Sequence, residues 1–215
     1  ARTELLYCRK AKIAKRINFS MDDVLGLKND YESFIAESGR GLQTAQSMKE
    51  LAELEVFYLH NIPAAIKLCE ELLQMNGVPQ QLKNKTKLLL GDCLLIDGDM
   101  WESSLLYGQV DKQEKDSPLG EEARFKNAKL SYFKGDFEWA QTQLEVLKAS
   151  TSELISNDAI NLSVFIIDNS GLDSITTPLE MFAQAELLLY QNKLDEANRQ
   201  LDSIKFLYPG HALYD

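Results

Sequence analysis

At 215 residues and 45% hydrophobic content, the chain is long enough for one large packed unit or two small ones. Its net charge of −10 argues against a nucleic-acid binder, which needs a concentrated basic surface. Strictly apolar runs such as Val164-Phe165-Ile166-Ile167 fall far short of the roughly 20 residues that span a bilayer.

The basic exception comes first. Residues 1–16 hold six basic residues against the single acid Glu4, a charge of +5 that leaves −15 for the rest. The stretch RKAKIAKR at 9–16 could meet an anionic partner or lipid headgroups. The simpler reading is a solvated face beside a buried stripe of Ile13 and Ile17. Residues 1–45 read as a degenerate helical pair, with Leu27 where a small residue would suit a close helix crossing. Residues 46–77 form a second pair, with Pro63 in the first turn of its second helix and Glu53 on its first. Cys8, Cys69 and Cys93 make no CxxC pair and have no metal-ligand spacing; each falls in a helical apolar pattern and is expected in the core.

Beyond Pro79 the phrasing repeats. Gly98-Asp99 and Gly135-Asp136 each read as a left-handed helix stop followed by an N-cap, with Glu102 and Glu138 at the positive end of the new helix. Ser117-Pro118 and Thr177-Pro178 read as N-cap plus a first-turn proline, and Thr177 with Glu180 has capping-box spacing. Small residues recur inside successive second helices at Ala65, Ser103, Ala140 and Ala197, spaced by 38, 37 and 57 residues. Twelve residues before the last three stand Gly91, Ala128 and Ala185, and apolar residues follow four and seven positions later. Two helices cross closely only where their contact holds small side chains, so Gly91/Ser103, Ala128/Ala140 and Ala185/Ala197 are expected to face each other.

This phrasing resembles the tetratricopeptide repeat family, with clear units at 84–117, 121–154 and 178–211. The fold class that follows is all-α, an α-solenoid of antiparallel helix pairs in a right-handed superhelix, expected as a single domain over 1–215. The 57-residue step leaves about 23 residues beyond a repeat of about 34. They hold an inserted helix and turn at about 152–176, apolar on most faces through Leu154, Ile155, Ile160, Leu162, Val164, Phe165, Ile166 and Ile167. Such a helix expects burial all round; otherwise it lines or plugs the groove or forms a dimer contact. The chain opens on Ala1 and closes at Asp215 as another helix is starting, so it is expected to be a piece of a longer protein.

Catalytic patterns are sparse. His60 and His211 belong to no metal motif, GRG at 39–41 lacks the third glycine and the strand of a dinucleotide loop, and Ser131-x-x-Lys134 has no partner motifs. The DGDMWE stretch at 97–102 lacks the glycine and glutamate of a calcium loop. The expectation is a non-enzyme with no cofactor and no metal site.

In the resembled family, first helices line a concave partner-binding groove. The resemblance therefore implies groove positions Lys85, Leu88, Asp92 and Leu95, with Ile96 beside them. In the next unit it implies Phe125, Lys129, Tyr132 and Phe133, with Glu122, and in the last Phe182, Glu186, Leu189 and Tyr190, with Leu179. This mixed, aromatic set differs from the Lys and Asn clamps that hold a terminal carboxylate, and suits an apolar or extended peptide. The segments DSPLGEEARFKNAKLSYFKGDFEWA and LYPGHALYD are similar to the phrasing of TolA-binding and outer-membrane-assembly tetratricopeptide proteins of Gram-negative bacteria. That likeness implies a periplasmic or outer-membrane-associated setting. The expected role is a scaffold binding a protein or peptide; the alternative is a regulatory or targeting segment of a larger enzyme.

Overall fold

The computed structural model describes residues 2–15, 19–115, 117–170, 176–211 and 213. Arg16, Ile17, most of the turn before Thr176, and Asp215 lie outside them. Among the described residues there are eleven helices and no strand. They are α1 Arg2–Lys15, α2 Met21–Ser38, α3 Ala45–Phe57, α4 Ile62–Gln74, α5 Gln80–Asp97 and α6 Met100–Gln113. Then come α7 Pro118–Phe133, α8 Phe137–Leu147, α9 Glu153–Asn169, α10 Thr177–Tyr190 and α11 Leu194–Leu207. The chain divides into two compact units, Ala1–Leu94 and Leu95–Asp215.

In unit 1, α1 packs on α2, α2 on α3 and α3 on α4. Its core gathers Leu6, Ile13, Val24, Leu27, Tyr31, Ile35, Met48, Leu51, Leu54 and Leu72. Ile13 is buried as expected, and two of the basic residues near it form ion pairs, Arg9 with Asp30 and Lys10 with Glu53. Glu53, the charge on the first helix of the second pair, also pairs with Lys49. Burial works against its carboxylate, but the Lys49 and Lys10 ammonium groups outweigh burial and hold its pKa below the ordinary value. Cys69 and Cys93 are buried, with the Cys69 thiol pushed up by its hydrogen bond to Cys93 and by burial. Cys8 is a correction: it is exposed, because it lies off the α1 face that carries Leu6 and Ile13.

In unit 2, α6 packs on α7, α7 on α8, α8 on α9 and α10 on α11, while α10 also packs on α7. The hairpin turns follow local chemistry. Gly98 and Gly135 adopt φ of 107° and 78°, which only glycine reaches without strain. Asp99 then accepts a hydrogen bond from the Glu102 N–H at 3.0 Å, and Asp136 one from the Trp139 N–H at 3.4 Å. Ser117 caps α7 ahead of Pro118. The α10 cap differs from expectation. Thr176 precedes the helix and Thr177 is its first residue; the Thr176 hydroxyl donates to Glu180 at 2.6 Å instead of capping the backbone.

The small residues earn their place by burial: Ala128, Ala140, Ala185, Ala197 and Ser103 are all 0% exposed. Around them Tyr107, Val110, Leu144, Leu147 and Ile204 fill the core. Trp139 is 56% exposed, whereas Phe137, two residues before it, is buried. The cap predicts a measurable cost. Asp99→Ala should destabilise unit 2 by about 1 kcal/mol in chemical denaturation, while Asp99→Asn keeps most of the effect because it still offers an oxygen acceptor.

Helix α9 is a further correction. It buries one stripe, Ile155, Ala159, Ser163 and Ile166, rather than all its faces. Leu154, Ile160, Val164 and Ile167 are exposed. The stripe is pinned to α8 by a reciprocal pair: Gln141 Nε2 donates to the Ser163 carbonyl at 2.8 Å, and Ser163 Oγ donates to Gln141 Oε1 at 2.7 Å.

Candidate functional site

Three helices of unit 2 converge on a cavity of about 480 Å³. Helix α7 supplies Phe125, Lys129 and Tyr132; α9 supplies Asp158, Asn161, Leu162 and Phe165; α10 supplies Phe182 and Glu186. The α7 and α10 residues stand four or three apart because a helix returns to the same face at that spacing. Helix α9 enters because α8 carries it against α7, the helix on which α10 also packs.

The wall is aromatic. Phe165 and Phe182 lie 5.4 Å apart between ring centroids, and Phe165 meets the Tyr132 ring edge-on at 6.4 Å. Tyr132 is wholly buried, and it also stacks obliquely on Phe133 and Phe137 at 5.7 and 5.8 Å. Its hydroxyl donates to Glu186 Oε2 at 2.5 Å. Burial, and then that carboxylate acceptor, push the phenol's pKa well above its ordinary value, because ionising it would place two anions side by side. Phe125, Phe165, Phe182 and Glu186 are half-buried, so rings and carboxylate both present surface to an occupant. The Lys129 ammonium lies 5.5 Å from the Phe133 ring centroid.

Five of the expected groove residues thus share one cavity: Phe125, Lys129, Tyr132, Phe182 and Glu186. The others sit elsewhere. Phe133 is 3% exposed and belongs to the core, packed between Tyr132 and Tyr190. Leu189 is exposed and Tyr190 half-buried at the end of α10. Leu95 is buried in unit 2, its carbonyl accepting from Gln191 Nε2 at 3.0 Å. In unit 1, Lys85 is exposed, whereas Leu88 and Asp92 are buried. Buried side chains at Leu88, Asp92, Leu95 and Phe133 offer no open surface to a partner. They pack inward because the helix face that would line a groove also meets neighbouring helices.

The α9 residues were missing from the expected groove. Their signal was the choice of an inserted helix that lines the groove, a choice the apolar excess of its sequence obscured. Unit 1 has its own cavity, of about 570 Å³, between α2, α3 and α4. Three of its lining charges are paired within the fold, Arg40 with Glu71 and Glu55 with Lys28 at 2.8 Å. Glu55 Oε2 has no hydrogen-bond partner, but it is sealed from solvent.

Among the described residues no cluster of His, Cys, Asp and Glu could hold a metal ion, and no helix is long and apolar enough to cross a membrane. Charge divides unevenly along the chain. Residues 95–215 hold 10 basic and 21 acidic residues, a net −11, against 13 basic and 12 acidic in residues 1–94. In comparisons with known proteins, no family model, no curated protein and no solved structure matches the chain.

Proposed function

We propose that the chain is a non-catalytic scaffold of tetratricopeptide-like helix pairs that binds an extended segment of a partner protein. The observation that carries this reading is the unit 2 cavity, where three half-buried phenylalanines stand beside a fixed tyrosine–glutamate pair. Concave, mostly apolar sites with a few oriented polar groups are where peptides and small molecules dock. Rigid aromatic rings supply large contact area at small conformational cost. By its resemblance to envelope tetratricopeptide proteins, the proposed setting is the bacterial cell envelope.

The test is selection from a displayed random-peptide library, followed by affinity measurement on purified protein. Phe125→Ala with Phe182→Ala removes two cavity rings that the core does not enclose. Selected peptides should lose at least about tenfold in affinity, as interface aromatics do when truncated, while the thermal melt stays close to wild type. Undiminished binding in a folded double variant would remove the cavity from the binding surface.

A further inference from the structure

We infer that the unit 2 cavity recognises a basic residue, arginine before lysine, set among apolar residues of the bound segment. This deepens the peptide-binding reading and rests on it.

The chemistry of the wall points there. Aromatic faces attract cations through their quadrupole, most strongly where water is excluded. Two carboxylates stand at the same wall. One oxygen of Glu186 is taken by the Tyr132 hydroxyl at 2.5 Å, which orients the carboxylate and leaves its other oxygen for an occupant. Neither Glu186 nor Asp158 has an ion-pair partner among the described residues. Among the described residues the one cation that lines the cavity is Lys129, which lies over the Phe133 ring. The fold thus leaves two negative charges against one positive, within a unit of net charge −11.

A guanidinium suits this arrangement better than an ammonium. Its flat face stacks on a ring while its edge donates hydrogen bonds to carboxylates. Leu162 and the ring edges then take the apolar neighbours of the basic residue. An acidic or carboxylate-terminal peptide would meet Asp158 and Glu186 with like charge.

Four fluorescein-labelled peptides separate the possibilities: Gly-Leu-Phe-Arg-Leu-Gly and its counterparts with lysine, norleucine or glutamate in place of arginine. Fluorescence polarisation should rank arginine first, then lysine, with arginine roughly tenfold tighter than norleucine, a difference of about 1.4 kcal/mol. Raising salt should narrow that gap. Glu186→Gln with Asp158→Asn neutralises the wall yet keeps an oxygen to accept from Tyr132. It should erase the arginine preference, bringing the arginine and norleucine peptides to equal affinity.

Norleucine binding as tightly as arginine, or a preference that survives the neutral variant, overturns the inference while leaving the peptide-binding reading intact. If no peptide of the series binds and the library selection also yields none, both fall together.

Discussion

Tyr132→Ala should destabilise residues 95–215 by about 3–5 kcal/mol, the range for emptying the site of a large aromatic in a packed core. The side chain is 0% exposed and touches the rings of Phe133, Phe137 and Phe165 from three directions. These rings come from α7, α8 and α9, so one truncation loosens three helices at once. Removing its hydroxyl alone is a smaller change. Tyr132→Phe keeps the ring contacts and returns Glu186 to water, which should cost about 1–2 kcal/mol. Both tryptophans, Trp101 and Trp139, lie in this unit, so their fluorescence during urea denaturation follows it specifically. A loss below about 1 kcal/mol for the alanine variant would show that the aromatic cluster is not the unit's structural centre.

Tyr132 also marks where sequence reading stops. The tetratricopeptide resemblance implied that it stands with Phe125 and Lys129 at groove positions, and the structure puts the three on one cavity. Its burial came from elsewhere, through Phe165 on α9 and Glu186 on α10, 33 and 54 residues away. No local pattern encodes such contacts. The turns were legible for the opposite reason. Gly135 and Asp136 act within one hairpin, on a backbone conformation and a capping bond that their own chemistry dictates. Ala128 and Ala140 were legible because a close helix crossing tolerates little else. Glu53 shows the intermediate case: its neighbour Lys49 is visible one helical turn away, but Lys10, 43 residues upstream, is not. The apolar excess of α9 was visible too, yet composition alone cannot tell a face that meets α8 from one that meets solvent.

Two buried phenols predict an alkaline weakness. In unit 1, Tyr31 Oη donates to Glu50 Oε2 at 2.7 Å, and in unit 2 Tyr132 makes the corresponding bond to Glu186. Both tyrosines are 0% exposed. In each, burial first and the carboxylate acceptor second raise the pKa above the ordinary value of about 10. The sign follows from proton binding. A group that holds its proton more tightly when folded stabilises the fold fully below its unfolded pKa, and that contribution is lost as pH rises above it. Each tyrosine should therefore remove about 1.4 kcal/mol of stability per pH unit above pH ~10, or about 2–3 kcal/mol by pH ~12. Urea denaturation of wild type, Tyr31→Phe and Tyr132→Phe between neutral and strongly alkaline pH measures this. Each phenylalanine variant should begin less stable at neutral pH and fall less steeply above pH ~10, because it has no proton to lose at that position. Curves that stay parallel to wild type through the alkaline range would mean these hydroxyls ionise as easily folded as unfolded, and that neither carboxylate holds its phenol in place.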